Sequence, residues 1–336
     1  MTFLSIIIPV YNAEKYLDAC FESIKRQKFA DYEVIIIDDG ATDNSPEICD
    51  RYAETDSRVK VYHMQNGGPS RARNIGFDKA NGKYIYCIDN DDCIYDEDYF
   101  TKIYDYLSEN EVDILQTGAT YVSDEPNAKE TVVDYTDVPE FPSDKIEKYA
   151  QWLVKNNKFE TSCWSKIIKT DFLRENKLYF DENLVVEDFD WNMRFFQCVK
   201  SYSILKLASY IHIFRQGSIS SAKGAKRHKN CIDQIETIKK YAKLFQTDGF
   251  CTELNKSLLP FLTYQYYITI GLASTLDKEY KKDIKNSLKQ IKFIIKFSSG
   301  KQQKLLKLIY NLFGFNVLIF VLSYYYNHHR KRCKKQ

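Results

Sequence analysis

The sequence predicts an α/β protein with a mostly parallel, doubly wound central sheet and a helical C-terminal extension. Over the first 120 residues, short apolar runs alternate with amphipathic segments, which is the pattern of strands and helices wound in βα units. Beyond Lys223 the apolar residues recur at helical spacing. A chain of 336 residues, of which 44% are hydrophobic and 28% charged, has the composition of a folded protein and can bury a sizeable core.

Five short apolar runs predict the strands of this sheet. They lie at residues 4–8, 33–37, 59–63, 83–88 and 113–116. Helices are expected at residues 14–29, 43–54, 70–80 and 96–110. Each strand ends in a loop rich in Asn, Asp and Gly, and ligands of open α/β sheets bind at those carboxyl ends. We therefore expect the functional site in these loops.

The second half of the chain changes character. Residues 121 to about 143 lose periodicity and contain Pro126, Pro139 and Pro142, so a long loop is expected there. Helices are then predicted at residues 145–156, 164–176 and 189–199, with a returning strand at 203–207. The purely helical pattern of residues 223–298 indicates a separate extension.

Composition disfavours several classes of function. The formal charge of +2 gives no whole-molecule attraction to nucleic acid, and no platform of basic and aromatic residues suits a single strand. The nine cysteines form no C-x-x-C pair, which disfavours a zinc site or a disulfide framework. The chain enters its first strand at Leu4 without the basic region of a signal peptide, so the cytoplasm is the expected compartment.

The strongest local signal is the fourth strand, which runs directly into Asp89, Asp91 and Asp92. Carboxylates this close repel one another unless a positive charge lies between them. Oxygen ligands at a strand end suit Mg²⁺ or Mn²⁺, with substrate phosphates completing the shell. On its own, the same triplet would also be explained by a solvated acidic turn or a helix cap.

Three further strand ends carry polar, backbone-exposing groups. The first strand is followed by Pro9-Val10-Tyr11-Asn12, the second by Asp38-Asp39-Gly40, and the third by Asn66-Gly67-Gly68-Pro69-Ser70-Arg71-Ala72-Arg73-Asn74. Four successive strand ends thus offer such groups to one edge of the sheet. Unrelated surface turns are not expected to place polar groups at four successive strand ends.

Together these segments closely resemble the family 2 glycosyltransferases of the GT-A fold, from about Phe3 to Ser220. The resemblance implies an inverting, metal-dependent enzyme of the hexosyltransferase type, with Mn²⁺ or Mg²⁺ as cofactor and a nucleotide-sugar, taken as a UDP-sugar, as donor. Two positions depart from the family pattern: Ala41 replaces a frequent Ser, and Cys93 stands where an aromatic residue is frequent. Neither is required by the mechanism.

Roles follow from the resemblance by matching position. It implies that Pro9 and Tyr11 line the base and ribose, and that Asp39 accepts a hydrogen bond from the edge of the base. Asp89 and Asp91 match the metal-binding Asp-x-Asp, with Asp91 preferred as the direct ligand. Arg73 and Asn74 match the family segment that braces this edge of the sheet. Asp92 follows the two metal ligands in the same turn and is expected to support them without binding the metal directly.

Glu187-Asp188 resembles the family segment whose Asp is the catalytic base, and we assign that role to Asp188. An acceptor hydroxyl is a poor nucleophile until a positioned carboxylate takes its proton. Attack from the opposite face would invert the anomeric centre without a covalent enzyme intermediate. The alternative is that both acids only occupy a helix N-terminus, where negative charge is favoured.

The segment from His212 to Ser220 resembles the family's closing segment. The resemblance implies that Arg215 contacts the diphosphate as a bidentate donor and that Ser218 donates a hydrogen bond to it. His212 is a candidate metal ligand, although a lone His on a strand is often a packed structural residue. Trp164 and Lys166 are candidates for contact with the acceptor sugar, with Trp164 equally explained as a core residue.

Residues 305–326 are almost continuously apolar and are followed by His328-His329-Arg330-Lys331-Arg332-Cys333-Lys334-Lys335. This pattern predicts contact with the inner face of the cell membrane, through an interfacial helix, a span or, failing both, a buried packing helix. Such a location suggests a glycan or lipid-linked glycan acceptor for capsule, exopolysaccharide or lipopolysaccharide. The predicted division is 1–120 for the donor half, 121–222 for the acceptor half, 223–303 for the helical extension and 304–336 for the membrane-associating tail.

The sequence leaves two other functions as alternatives. A nucleotidyltransferase also binds nucleotide and metal on an α/β sheet, but it would need a glycine-rich basic phosphate loop near the N-terminus, where Pro9 to Glu14 offer none. A non-catalytic, membrane-bound assembly partner is the second alternative. A decayed site is disfavoured by the presence of Asp39, Asp89, Asp91 and Asp188.

Overall fold

The computed structural model describes residues 2–123, 130–215 and 223–333. The chain divides into two compact units. The first, the sheet unit, comprises Met1–Ile146, Glu160–Asn183 and Glu187–Arg215, and the second, the helical unit, comprises Glu147–Phe159, Leu184–Val186 and Gln216–Gln336. All candidate site residues that lie in the described ranges belong to the sheet unit.

Within the described residues, the sheet unit contains one nine-stranded sheet. Its strands are β1 Leu4–Val10, β2 Tyr32–Asp38, β3 Val59–His63, β4 Tyr84–Cys87, β5 Cys93–Ile94, β6 Ile114–Ser123, β7 Thr131–Val133, β8 Lys166–Lys169 and β9 Tyr202–Phe214. Their order is β3-β2-β1-β4-β8-β6-β9-β5, with β7 paired to β6. The pairs among β1 to β4 and the pair β6–β9 are parallel, whereas β8 runs antiparallel between β4 and β6. The α/β class is confirmed, and the sheet is mixed.

The ends of β1, β2 and β4 meet at one edge of the sheet. β1 and β2 are buried along their whole length because their near-continuous apolar runs are covered on both faces. The register pairs Val10 with Asp38 and Ile7 with Cys87, so the loops after these strands emerge together. We call this edge the strand-end edge.

Helices cover the sheet. They are α1 Leu17–Lys25, α2 Ser45–Thr55, α3 Pro69–Lys79, α4 Tyr99–Glu109, α6 Thr170–Glu175 and α7 Glu187–Phe195. α3 approaches β1 closely because Gly76 has no side chain: an added Cβ would lie 2.2 Å from Ile7 Cγ2. This approach places Arg73, one turn earlier, at the strand-end edge.

The predicted helix over residues 164–176 is wrong in its first half. The segment is a 3-10 turn at Cys163–Ser165, the strand β8 and then the helix α6. The four residues of β8 are too few to show periodicity, and their conformation follows from pairing with β4 and β6. The predicted long loop contains β7 and the end of β6, and Pro126 lies outside the described residues.

The helical unit confirms the expected extension. It contains most of α5 Ile146–Lys155, followed by α8 Gly224–Leu244, α9 Glu253–Ala273, α10 Lys278–Gln290, a 3-10 helix Lys292–Phe297 and α11 Gly300–Cys333. Its core is built on α9, where Leu258, Leu262, Tyr266 and Ile270 are buried. α11 is interrupted at Gly314, whose φ of 77° is not helical.

Candidate functional site

The strand-end edge is tied together by hydrogen bonds between its loops. Asp39 N donates to Val10 O at 2.8 Å, and Asn90 Nδ2 donates to Pro9 O at 2.8 Å. The three loops after β1, β2 and β4 therefore form one continuous surface. On this surface the Tyr11 side chain is half exposed and is available to a ligand.

Asp39 is buried, and both of its carboxylate oxygens accept backbone hydrogen bonds. Gly67 N donates to Oδ1 at 2.7 Å and Gly68 N to Oδ2 at 2.8 Å, while Asn66 Nδ2 donates to Asp39 O at 2.9 Å. Asp39 therefore fixes the glycine loop that precedes α3. A carboxylate has about four lone-pair positions, so the two bonds from Gly67 and Gly68 leave about two positions for donors from a ligand.

The contacts that join Asp38, His63 and Asp50 beside Asp39 were not predicted from the sequence. Asp38 accepts hydrogen bonds from Ala41 N at 2.9 Å and contacts His63 Nδ1 at 2.8 Å, and His63 Nε2 lies 3.1 Å from Asp50. The bond to Asp38 raises the pKa of His63, in opposition to partial burial. Asp38 thus holds the turn that carries Asp39.

The three acids after β4 have different environments, and Asp92 is the most constrained. Its carboxylate is buried and accepts from Tyr210 Oη at 2.7 Å and Ile213 N at 2.9 Å, and it contacts His212 Nδ1 at 3.0 Å. Tyr210 Oη also accepts from Asp89 N at 3.2 Å. Asp92 therefore links the acidic turn to β9. Tyr210 was missed, although it shares one face of β9 with His212 at a spacing of two residues.

Asp89 and Asp91 each face an arginine. Arg73 Nη2 donates to Asp89 Oδ1 at 2.9 Å, and Arg215 Nε lies 3.4 Å from Asp91 Oδ2. The Arg215 guanidinium is also 3.7 Å from the centre of the Tyr16 ring. Burial, with the charges of the neighbouring acids, raises the pKa of Asp91 to about 6. The two carboxylates thus form a negative site with two cations at its border.

These residues fit a hard divalent cation held jointly with a ligand. No group of three or more His, Cys, Asp or Glu side chains is arranged around a metal position in the parts of the chain that the structure describes. Mg²⁺ and Mn²⁺ sites of nucleotide enzymes use one or two carboxylates and complete the shell with phosphate oxygens and water. Asp89 and Asp91 can supply that pair.

His212 is compatible with both of the roles considered for it. Its Nδ1 faces Asp92, and its ring stacks on Trp164 with a centroid distance of 5.4 Å and an interplanar angle of 16°. A histidine whose one ring nitrogen is held by a carboxylate presents the other nitrogen in the orientation that metal ligation uses. The same contacts also describe a packed structural histidine.

Asp188 lies in the first turn of α7 and has an unsatisfied oxygen. Its Oδ1 is buried and makes no hydrogen bond within the described residues. Burial raises the pKa of Asp188 above its ordinary value, although the Arg73 guanidinium opposes the rise. The neighbouring charge of Glu187 adds to the rise. A carboxylate in this state is a stronger proton acceptor than an exposed one.

Arg73 connects the two sets of acids. Its Nη1 lies 3.4 Å from Glu187 Oε1 while its Nη2 holds Asp89, so the buried guanidinium joins the strand-end edge to the start of α7. Asn74 supports the same segment, donating to Phe180 O at 3.0 Å and accepting from Phe180 N at 2.8 Å.

Lys166 and Trp164, the two candidates for contact with the acceptor sugar, are both buried. Lys166 is fully buried, its Nζ donates to Glu160 O, Ser162 O and Ser165 Oγ, and burial lowers its pKa to about 8. The prediction that Lys166 contacts the acceptor is therefore wrong. Trp164 is buried and stacks on Tyr210 with a centroid distance of 4.5 Å, as the core interpretation expects. Ser218 lies outside the described residues.

Known proteins are similar to this chain in sequence and in fold. The family model described as "Glycosyl transferase family 2" matches residues 5–183. Glycosyltransferase GlyG of Streptococcus pneumoniae serotype 4 is 32% identical over 223 residues, which are 64% of this chain and 72% of GlyG. The uncharacterized glycosyltransferase EpsJ of Bacillus subtilis is 31% identical over 62% of this chain and 60% of its own length.

A solved structure extends the likeness in fold to almost the whole chain. TarS of S. aureus, residues 1–349 in complex with UDP-GlcNAc, superposes with a TM-score of 0.74 at 21% identity, covering 97% of this chain and 92% of that one. The family model covers more than half of the residues, and it includes the strand-end edge and its acids. This chain belongs to glycosyl transferase family 2 and is a glycosyltransferase.

Proposed function

We propose that this protein is an inverting, metal-dependent hexosyltransferase that moves a sugar from a UDP-sugar to a hydroxyl of a glycan or lipid-linked glycan. The observation that carries the proposal is the Arg73 bridge. It links Asp89, on the side where a donor diphosphate would bind, to Glu187, the neighbour of the unsatisfied base candidate Asp188.

The donor side is assigned from the strand-end edge. Pro9 and Tyr11 line the base and ribose, and Asp39 uses its remaining lone pairs for the base edge. Arg215 contacts the diphosphate, and the family resemblance assigns Ser218 a hydrogen bond to it. UDP is favoured as the nucleotide because the fold neighbour TarS was solved with UDP-GlcNAc.

Asp89 and Asp91 would hold Mn²⁺ or Mg²⁺ against the diphosphate, with His212 as a further ligand. When bound, such a cation neutralises the charge that grows on the departing nucleotide diphosphate. Arg215, now paired with Asp91, is positioned to exchange that carboxylate for phosphate oxygens, for which its planar guanidinium is suited.

Asp188 performs the proton transfer. Its oxygen accepts the proton of the acceptor hydroxyl as that oxygen attacks the anomeric carbon from the face opposite the diphosphate. The carbon–oxygen bond to the acceptor forms while the bond to the diphosphate breaks, which inverts the configuration. The raised pKa of Asp188 makes this transfer more favourable than it would be to an ordinary carboxylate.

A lipid-linked acceptor in capsule, exopolysaccharide or lipopolysaccharide synthesis would place the enzyme at the inner face of the cell membrane. The support for this location is the single helix among the described residues that is long and apolar enough to contact or cross a bilayer, within Gly300–His328.

The test is release of UDP from a panel of UDP-sugars in the presence of Mn²⁺. We expect release with at least one donor, its loss on addition of a chelator, and a metal-dependent rise in thermal stability with the same donor, because a ligand of the native state stabilises it. Release of pyrophosphate from UTP and a sugar 1-phosphate, with no release of UDP from any UDP-sugar, would support the nucleotidyltransferase alternative. Failure of every nucleotide-sugar to bind would support the non-catalytic one.

A further inference from the structure

The helix α11 leaves a row of large apolar side chains in solvent. Leu312, Phe313 and Phe320 are 64%, 63% and 69% exposed, and the row continues with Leu305, Leu308, Val317, Tyr324 and Tyr325. Only 11% of the most apolar 18-residue stretch of this helix is buried, whereas the core helix of a soluble protein would be mostly buried. An exposed apolar surface of this size marks an interaction site.

The exposed residues form a stripe on each half of α11. Leu305, Leu308 and Leu312 follow one another at intervals of three and four residues before the interruption at Gly314. Val317, Phe320 and Tyr324 repeat the same intervals after it, and residues at these intervals lie on one face of a helix. Each half of α11 therefore presents its own apolar face.

The opposite face of the second half is packed on α9. Leu318 is buried, and Tyr326 lies so close to Gly271 that an added Cβ would come within 3.0 Å of its ring. Asn327 Nδ2 donates to Ser274 Oγ at 3.2 Å. The far end of α11 is thus fixed to the end of α9.

The first half of α11 is fixed to the same helical unit. Gln303 Nε2 donates to Pro260 O in α9 at 3.3 Å, and Lys307 Nζ donates to Lys296 O at 2.9 Å. A helix held beside α9 at both of its ends cannot cross a bilayer unless these contacts break or α9 enters the lipid with it. The packing therefore favours a helix that lies in the plane of the membrane.

The excess of positive charge near α11 indicates which kind of partner covers its apolar stripes. No Asp or Glu follows Asp283, whereas the same stretch contains Lys285, Lys289, Lys292, Lys296, Lys301, Lys304, Lys307, Arg330, Lys331, Arg332, Lys334 and Lys335. The whole chain carries only +2, so this basic stretch is set against an acidic remainder. A second copy of the stripe would bring the same positive charge and be repelled, whereas anionic lipid headgroups attract it.

We propose that α11 and the lysines of α10 and the following 3-10 helix form an in-plane docking surface for an anionic lipid bilayer. The apolar stripes enter the boundary between headgroups and acyl chains, and the lysines contact the headgroups. This inference refines the membrane partner named in the proposed function, and it does not depend on which sugar is transferred.

The test is flotation of the full-length protein with preformed vesicles of phosphatidylcholine, with and without an equal part of phosphatidylglycerol. We expect binding to the anionic vesicles, weaker binding at high salt, and a loss on pure phosphatidylcholine of at least about tenfold. Phe320→Ser should lower the partition coefficient by about tenfold. Phe250→Ser is the matched control, because Phe250 is 43% exposed in the same unit but lies outside α11, and it should bind like the wild type.

Alkaline carbonate should release the bound protein, because an in-plane helix is held less firmly than a span. Equal effects of the two Phe variants, equal binding to both vesicle types, or retention after carbonate would overturn the proposal. So would self-association without lipid that Phe320→Ser abolishes. UDP release is measured on the same variants. If the protein fails to bind vesicles but still releases UDP, only the docking surface is refuted and the proposed function stands. Asp188→Asn should still bind vesicles, so this variant tests only the transfer chemistry.

Discussion

Asp39 at the strand-end edge and Asp188 at the start of α7 are both carboxylates in buried surroundings, but the protein treats them in opposite ways. Both oxygens of Asp39 accept backbone N–H groups at 2.7 and 2.8 Å. Oδ1 of Asp188 has no hydrogen-bond partner within the described residues, and the pKa of that carboxyl is raised. Donors to a carboxylate stabilise its charged form, while burial without donors destabilises it. Asp39 therefore fixes the glycine loop, whereas the state of Asp188 suits the proton acceptor that we propose it to be.

The largest expected effect is on turnover at the unsatisfied carboxylate. Asp188→Asn should lower the rate of transfer by about 10²- to 10⁴-fold, because an amide cannot take the proton of the acceptor. The measurement is the steady-state rate of UDP release with acceptor present. The control is Asp171→Asn, an exposed acid in the first turn of α6, which should leave the rate unchanged. Similar rates for both variants would mean that Asp188 only occupies a helix N-terminus.

For Asp39, the expected effect is on the stability of the folded protein. Asp39→Ala removes two charge-assisted hydrogen bonds and should lower the free energy of unfolding by about 3 kcal/mol. Asp188→Asn should leave that free energy unchanged or higher, because it removes a buried charge without donors. Urea unfolding of the ligand-free proteins measures both.

Tyr11→Ala is the control for the Asp39 variant. Tyr11 belongs to the same edge but is half exposed, so its loss should change the unfolding free energy by less than about 0.5 kcal/mol while weakening donor binding. If Asp39→Ala behaved like Tyr11→Ala, the glycine loop would not depend on Asp39.

The sequence shows this contrast only in part, for a physical reason. Buried parallel strands leave local apolar runs, and acids directly after such a run are visible in the sequence, as Asp39 and Asp91 are. Whether a carboxylate is saturated depends on distant backbone: the donors to Asp39 come from Gly67 and Gly68, beyond the next helix and strand. The contact of Arg73 with Glu187 spans 114 positions and leaves no local pattern.

The same limit explains the errors elsewhere in the chain. β8 is a strand because β4 and β6 pair with it on both sides, and Lys166 is buried because Glu160 and Ser162 offer it carbonyl oxygens. The sequence suggested that this lysine contacts the acceptor sugar, whereas the fold supplies its ammonium group with internal partners.

An intermediate effect is expected at Asp92, whose saturated carboxylate supports a possible ligand. If His212 binds the metal, Asp92→Asn should raise the Mn²⁺ concentration for half-maximal UDP release by about 10- to 100-fold, because partners of ligating histidines orient them. Asp96→Asn, which removes a nearby carboxylate paired with Lys102, should leave the Mn²⁺ dependence unchanged. A lower rate at every Mn²⁺ concentration, with the same midpoint, would assign His212 a structural role.

The last prediction concerns how the stability difference between Asp188→Asn and the wild type changes with pH, and each pH unit contributes less than the effects above. The folded-state pKa of Asp188 is raised above the unfolded value of about 3.9, so the folded state binds more protons between the two values. The stability that protonated Asp188 contributes is present below about pH 4 and is lost as the pH rises through the raised pKa. Asn does not titrate, so the stability of Asp188→Asn relative to the wild type should grow over this window.

That growth is at most about 1.4 kcal/mol per pH unit, and it should stop once the pH exceeds the folded-state pKa of Asp188. Urea unfolding of the metal-free, donor-free proteins across the window measures it. The pH at which the growth stops should coincide with the acid limb of the rate of transfer if the deprotonated Asp188 carboxylate is the base, as we propose. A relative stability that is flat with pH would show that Asp188 has an ordinary pKa and that its lack of hydrogen bonds has no consequence for proton transfer.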